Sequence, residues 1–391
     1  MESIDQFIDA QAADLQAMRR TLHANPEPSG EEVRTTAWLL HLLEDIEGIQ
    51  YRTGPDGRGL IVDSGTTDVH RCLAMRADID ALRLQDEKTV VYRSKERNIM
   101  HACGHDAHTA MAFYALKALA AHPDALPEGI AWRCIFQPAE ESATGAKEMI
   151  AAGALEGVDT IIALHVDPTL MVGQVGFREG PLTAHCEEFE INIEGEGGHG
   201  ARPESTRDPV AAATHLVQSV YASLPRRLDS REPLVVSFGV IQGGINPNVI
   251  PQSVQLRGTM RSFDAEHLRN ARQRLQGICD SVAQMHQLEV RYEVSWDLPA
   301  VINDPHIIAT ARRSAASILP PGGAVEIPHP SMGGEDFAHY LRHCRGGMFR
   351  LGVGTPLQPV HHLHSPRFDL NEKALPIGSK LLARTLLQLA S

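Results

Sequence analysis

Apolar residues at Ile4, Phe7, Ile8, Leu15, Met18 and Leu22 recur on one face of a helical pattern, the 3.6-residue period of an amphipathic helix. The run Asn25-Pro26-Glu27-Pro28 ends it. Ser29 and Glu32 have the spacing of a capping box, ahead of a second helical pattern carrying Val33, Leu40 and Leu43. Strand-like apolar runs follow at 59–63, 72–76, 130–136 and 160–165, and helical patterns near 109–121 and 145–152 separate the later ones. Strands alternating with helices predict crossover connections and an α/β domain built on a largely parallel sheet.

The pattern changes after Gly180-Pro181. Residues 188–194 alternate, with Phe189, Ile191 and Ile193 set against polar neighbours. A helix over about 209–224 follows, then strands at 234–241 and 254–261. A helix carrying Leu268, Leu275, Ile278, Val282 and Met285 leads to a last strand at 289–295. Strand-helix-strand-strand-helix-strand is the outline of a ferredoxin-like α+β unit. From Leu298 the alternation of helix and strand resumes, with 345–352 as a buried strand. The prediction is a discontinuous first domain, residues 1–181 and 296–391, interrupted by a smaller insert over 182–295.

A length of 391 residues exceeds what one core usually supports, which agrees with two domains. The formal charge of -13, without a Lys/Arg run, argues against nucleic acid or an anionic membrane as partner. No apolar run approaches the ~20 residues of a membrane span. The start, Met1-Glu2-Ser3-Ile4-Asp5, lacks the basic-then-apolar layout of a signal peptide. The six cysteines are scattered without a disulfide spacing, and Cys72, Cys134 and Cys279 read as small buried hydrophobes. A reducing, cytoplasmic location is therefore expected.

The densest chemistry lies between His101 and Thr109, where three histidines, Cys103 and Asp106 fall within nine residues. Cys103 and His105 flank a single glycine, so a tight turn can aim a thiolate and an imidazole at one divalent ion. Taken alone, the stretch reads equally well as a helix start, with Asp106 as the N-terminal cap and the histidines solvated. Other strand-like runs, however, also end in metal-competent residues: Asp78 and Asp80, Glu140 and Glu141, and His165, with His361, His362 and His364 near the C-terminus. Ligands collect beyond the carboxyl ends of strands in a parallel sheet. Each group has a plainer reading: the glutamates as solvated helix-start charges, His165 as a strand-end histidine, Asp78 and Asp80 as turn caps or as carboxylates orienting a metal-bound histidine.

Together, His101-Ala102-Cys103-Gly104-His105-Asp106, Gln137-Pro138-Ala139-Glu140-Glu141 and Leu363-His364-Ser365-Pro366 resemble the dinuclear metallo-amidohydrolases related to aminoacylase and carboxypeptidase G. So do Leu22-His23-Ala24-Asn25-Pro26-Glu27, Gly197-Gly198-His199-Gly200-Ala201 and Asn248-Val249-Ile250-Pro251. The subgroup resembled contains hippurate hydrolase and the auxin-conjugate hydrolases, and the likeness runs from Leu22 to about Glu372. It implies a zinc-peptidase-like catalytic domain, interrupted by a lid and dimerisation domain. It also implies two divalent ions per chain (zinc or manganese, with cobalt or nickel as options), held by Cys103 as bridging ligand, His105, Glu141, His165 and His364. Glu140 takes the place of the family's general base. His199 and Asn248 are implied to hydrogen-bond the oxyanion and the substrate carboxylate, reaching into the partner subunit of a homodimer. Asp78, Asp80 and Asp106 are candidates for orienting the ligands. The chain departs from the family's pattern at 82–91, at Gly200-Ala201-Arg202 and at His185-Cys186, stretches that border the substrate cleft.

The activity implied is hydrolysis of the amide bond of an N-acyl or N-aroyl amino acid. Two ions ~3.5–4 Å apart lower the pKa of a bridging water and polarise the carbonyl. Glu140 takes the water's proton and delivers it to the leaving amine. Two other classes are weighed against it. A thiol hydrolase using Cys103 leaves the Glu140-Glu141 pair and the distant histidines unexplained. A non-catalytic metal-binding protein has no use for Glu140.

Overall fold

The apolar runs form one eight-stranded sheet. Its spatial order is Ile49–Thr53, Leu60–Ser64, Ile130–Gln137, Arg71–Asp78, Val158–Met171, Arg345–Gly354, Val175–Phe177 and Ala324–Glu326. The four central strands are mutually parallel, while Leu60–Ser64 and Val175–Phe177 join them antiparallel on either side. The sheet is thus mixed and largely parallel. The computed structural model describes residues 1–356 and 360–391.

Both faces of this sheet are covered, and the two-residue period of a strand sorts its side chains between them. Ile162, Leu164 and Val166 pack with Phe349, Leu351 and Val353 into a core shared with the helices Ala12–Ala24, His105–Ala120 and Ala374–Ala390. Ile161, Ala163 and Met348 face the other way, into a core with Ala146, Met149, Phe337 and Tyr340. Burying one such aliphatic side chain contributes about 1.5–3 kcal/mol. The alternation also fixes where His165 points: to the second face, at the carboxyl end of the parallel strands.

The start of the chain differs from the expectation in its detail. The first helical pattern is two helices, Glu2–Ala10 and Ala12–Ala24. No capping box forms at Ser29 and Glu32. The Ser29 hydroxyl donates to Asp80 instead, and Glu32 Oε1 accepts from the backbone N–H groups of Gly30 and Ala139. The helix Val33–Leu43 begins without a side-chain cap, and Val33 is exposed. Tertiary partners have claimed both residues of the local signal.

Backbone contacts divide the chain into two units. The first comprises Met1–Leu182, Val301–His329 and Glu335–Ser391, and the second Thr183–Ala300 with Pro330–Gly334. The second unit extends beyond the expected insert of 182–295: its last strand runs from Glu289 to Leu298, and the strap 330–334 belongs to it. Arg261 donates to the Met332 carbonyl and Ala184 N–H to that of Gly333, which fastens this strap within the second unit. The second unit is a β-α-β-β-α-β fold. Its four-stranded antiparallel sheet has the order Leu234–Gln242, Ser253–Ser262, His185–Glu194, Glu289–Leu298, with the helices Pro209–Ser223 and Ala265–His286 packed on it. That is the ferredoxin-like arrangement. Met285, expected on the inner face of its helix, is exposed.

Candidate active site

Two strands, a helix start and two loops of the first unit deliver the predicted ligands. Gly104, at φ 87°, turns the chain into the helix His105–Ala120, and a Cβ there would meet Val166 Cγ2 at 2.4 Å. Cys103 and His105 are held on either side of it. After the strand Ile130–Gln137, Ala139 adopts a left-handed backbone at φ 54°, turning the chain just before Glu140 and Glu141. His364 is also left-handed, at φ 63°, and its N–H donates to the Ala102 carbonyl at 2.9 Å. Left-handed non-glycine residues cost about 1–2 kcal/mol each, so both are held there by the surrounding structure.

Cys103, His105 and His165 form one group, and Cys103, Glu141 and His364 a second, each with its ligand atoms within 4.8 Å of one another. Cys103 belongs to both. Tautomers follow from the hydrogen bonds. His165 Nδ1–H donates to the Val166 carbonyl at 2.8 Å, leaving Nε2 3.5 Å from Cys103 Sγ. His105 Nδ1–H donates to Asp80 Oδ1 at 3.0 Å, leaving a buried Nε2 without a hydrogen-bond partner. Glu141 Oε1 lies 3.2 Å from His364 Nε2 yet makes no hydrogen bond. Two orphaned acceptor atoms beside a thiol, in a soft and borderline donor set, fit divalent ions such as zinc or manganese. Burial, with the Glu141 carboxylate adding to it, pushes the Cys103 thiol up to about 12. Without a cation, then, Cys103 is a neutral thiol and a poor nucleophile.

Glu140 belongs to neither Cys103 group. Its Oε2 is 4.0 Å from His105 Nε2, and its side chain is 11% exposed. Burial first, then the carboxylates Glu335, Asp336 and Glu141, raise its proton affinity well above the usual carboxylate range.

The predicted orienting residues part company. Asp80 Oδ1 holds His105, while its Oδ2 accepts from Ser29 Oγ at 2.6 Å and from Glu141 N–H at 3.0 Å. Asp78 Oδ1 accepts from His108 Nδ1–H at 2.6 Å, and His108 Nε2 in turn accepts from Val166 N–H. Asp106 neither caps the helix nor touches a ligand imidazole. Its Oδ2 meets Arg19 Nε at 2.8 Å and His23 Nδ1 at 2.7 Å in a fully buried network. His199 and Asn248 lie side by side in the second unit, where Gly198–His199 pairs with Val249–Ile250 and Gly200 N–H donates to the Asn248 carbonyl. His199 is exposed, and its Nδ1 accepts from Ala201 N–H at 3.1 Å.

Sequence reasoning missed the group behind Glu140. Arg76, fully buried, donates to Gln137, Asp78 and Asp336 at 2.8, 2.6 and 2.8 Å and lies 3.2 Å from Glu335. Carboxylate oxygens of Glu140, Glu335 and Asp336 come within 4.8 Å of one another. The adjacent acids after Gly333-Gly334 repeat the kind of signal carried by Glu140-Glu141, and could have been found by it.

A model of peptidase family M20/M25/M40 matches residues 74–388. The chain is 36% identical to an N-acetyl-L-cysteine deacetylase of Bacillus subtilis, covering 94% of this chain and 86% of that protein. It is 35% identical to an IAA-amino acid hydrolase of Arabidopsis thaliana, covering 94% and 83%. Among solved structures, a Bacillus subtilis protein described as a dinuclear metal binding peptidase of the M20 family superposes with a TM-score of 0.83 at 32% identity, over 97% of this chain and 99% of the other.

Proposed function

The chain belongs to peptidase family M20/M25/M40 and is a metal-dependent amidohydrolase, and on that premise we propose that it cleaves the amide bond of N-acyl or N-aroyl amino acids. The observation that carries this reading is the pair of ligand groups meeting at Cys103, with Glu140 in neither of them but close to His105 and Glu141. We assign one ion to Cys103, His105 and His165 and the other to Cys103, Glu141 and His364. When bound, such ions supply Lewis acidity to the scissile carbonyl and lower the pKa of water. Relatives named for deacetylating N-acetyl-L-cysteine and for hydrolysing IAA-amino acids support the substrate class.

Glu140 receives the proton of the attacking water as the new C–O bond forms. It returns that proton to the amide nitrogen as the C–N bond breaks, releasing a carboxylic acid and an amino acid. A carboxylate with raised proton affinity suits both directions of transfer near neutral pH. His199 and Asn248 are assigned to the oxyanion and the substrate carboxylate. With Nδ1 accepting from Ala201, a neutral His199 ring carries its proton on an exposed Nε2 and can donate it. Asp80 holds His105 in the tautomer whose Nε2 can bind metal. The thiol-hydrolase alternative is disfavoured by a Cys103 that stays protonated without a cation.

The test combines metal analysis with turnover. Purified protein reloaded with zinc, manganese, cobalt or nickel is screened against acetyl, benzoyl and indole-acetyl amino acids. Two ions per chain and chelator-sensitive hydrolysis are expected. Glu140→Gln should keep both ions and lose about 10²–10⁴-fold in kcat. Hydrolysis that survives metal removal, or loss of metal from Glu140→Gln with retention in Glu141→Gln, overturns the assignment.

A further inference from the structure

We infer that Asp336 is a positioning residue for Glu140: it clamps both ends of the loop that carries the proposed base, and so fixes where that carboxylate stands. The inference rests on the amide-hydrolase reading above. The loop covers 138–144, between the strand Ile130–Gln137 and the helix Gly145–Ala151. Asp336 reaches both of its borders. Gln137 Nε2 donates to Asp336 Oδ1 and to Oδ2, at 2.8 Å each, and Ala146 N–H donates to Oδ2 at 2.9 Å. Arg76 closes a ring on the same pair, donating from Nε to Gln137 Oε1 and from Nη2 to Asp336 Oδ1, both at 2.8 Å. Arg76, Gln137 and Asp336 are all buried. Hydrogen bonds to a charged group are strong there, and a lost one is costly.

The Glu140 carboxylate makes no hydrogen bond among the described residues, and its contact with His105 Nε2 is a loose 4.0 Å. Carboxylate oxygens of Glu335 and Asp336 come within 4.8 Å of it. An ionised Glu140 is therefore repelled by its acidic neighbours, not held by them. Its place is set by the backbone of the loop. That backbone is not one the chain keeps unaided, because two non-glycine residues are left-handed, Ala139 at φ 54° and Ala143 at φ 53°. Glu32 and Asp80 each tie the loop at a single point, through the N–H groups of Ala139 and Glu141. Asp336 alone among these three carboxylates joins the residue before the loop to the helix after it. Glu141, with Asp80 on its N–H and His364 Nε2 3.2 Å from its carboxylate, has anchors of its own. Opening the clamp should thus move the base and leave the ligand.

The test is a double-mutant cycle of Asp336→Asn with Glu140→Gln on the metal-loaded enzyme, using whichever acetyl, benzoyl or indole-acetyl amino acid the wild type hydrolyses. Asparagine keeps the shape of the side chain and defeats the clamp, because every partner of Asp336 is a donor. Gln137 cannot turn to accept, since Arg76 Nε occupies its Oε1. Asp336→Asn alone should lower kcat about 10- to 100-fold, the cost of a reacting group displaced by up to ~1 Å, with KM and the content of both ions unchanged. In the Glu140→Gln background the same substitution should cost less than about 3-fold, because the group it positions is already gone. A merely structural residue costs the same factor in both backgrounds. Equal losses, an unchanged kcat in Asp336→Asn, or loss of metal from it overturns the inference. Gln137→Met opens the other half of the clamp without a change of charge, and carries the cycle if Asp336→Asn does not fold. Glu140→Gln with wild-type kcat refutes the base assignment, and this inference with it. Equal losses beside an impaired Glu140→Gln refute the clamp alone.

Discussion

Asp80→Asn replaces one atom of the residue that grips both ends of the proposed metal site. Asp80 Oδ1 accepts from His105 Nδ1–H, and Oδ2 from Ser29 and from the Glu141 backbone N–H. An asparagine in the same place must turn its amide donor towards one of these. Facing Oδ2's partners, it opposes the Glu141 N–H, which cannot accept, although the Ser29 hydroxyl can rotate. Facing His105, it sets a donor against the ring Nδ1–H, which then keeps only the Asp80 main-chain carbonyl at 3.0 Å as acceptor, and so weakens the tautomer that leaves Nε2 free for metal. A buried donor left unsatisfied costs about 1–3 kcal/mol, and 1.4 kcal/mol is a factor of ten, so metal affinity should fall roughly 5- to 150-fold. That range brackets the 10- to 100-fold cost usual for carboxylates that orient metal ligands. The assay is competition with a chelator of known affinity, read alongside the melting temperature of metal-free protein. Unchanged affinity for both ions would refute the argument. So would an equal loss of stability without metal, since the damage would then lie in the fold and not in the ligand's tautomer.

Glu32 should act on stability in the opposite sense to most carboxylates. Burial pushes it up to about 6, above the ~4.3 of an unfolded glutamate. Its contribution is therefore present at low pH and lost as pH rises through about 6. Oε1 makes both hydrogen bonds, and Oε2 makes none but lies 3.7 Å from the Arg58 guanidinium; because burial outweighs that pair, Glu32→Gln should melt higher than wild type at pH 7, with the advantage shrinking below pH 4.5, and a lower melting temperature at pH 7 contradicts this. Gly145→Ala would place a Cβ 1.6 Å from the Pro138 carbonyl oxygen. It should distort the turn carrying Glu140 and Glu141, lowering both thermal stability and metal occupancy; wild-type values in both would show the turn to be tolerant. Iodoacetamide should label the metal-loaded enzyme's Cys103 more slowly than the chelated protein's, by mass spectrometry, with equal rates counting against thiolate ligation. For the proposed roles in neighbouring subunits, mixing inactive Glu140→Gln with inactive His199→Ala under subunit exchange should restore part of the activity. No recovery despite demonstrated exchange rules out shared sites.

The parts of this protein that could be read in its sequence are those governed by period and spacing. Phe189, Ile191 and Ile193 fall on the face their alternation assigns, because burying the wrong face costs several kcal/mol per strand. The cluster around Cys103 was legible because metal donors are chemically rare and sat at strand ends. What escaped was long-range polar partnership. Ser29 and Glu32 satisfy a local capping rule but are 51 and 107 residues from the partners they adopt. Asp106 looked like a cap, and its partners, Arg19 and His23, lie on a different helix. Arg19 and Arg76 read as solvated charges in any hydropathy pattern, although both are fully buried. Only the tertiary arrangement of several carboxylates around each guanidinium makes that burial tolerable.

The positions of Cys103 and His364 also set a schedule. Synthesis proceeds at about 5–20 residues per second, and 364 minus 103 is 261 residues. Roughly 10–50 s therefore separate the emergence of the shared thiol from that of its last proposed companion. The second unit, contiguous from Thr183 to Ala300 apart from its short strap, is synthesised entirely within that interval and can collapse around its own core first. On that assignment the ion that needs His364 would be the later of the two to be enclosed, since the ligands of the other, Cys103, His105 and His165, span only 62 residues.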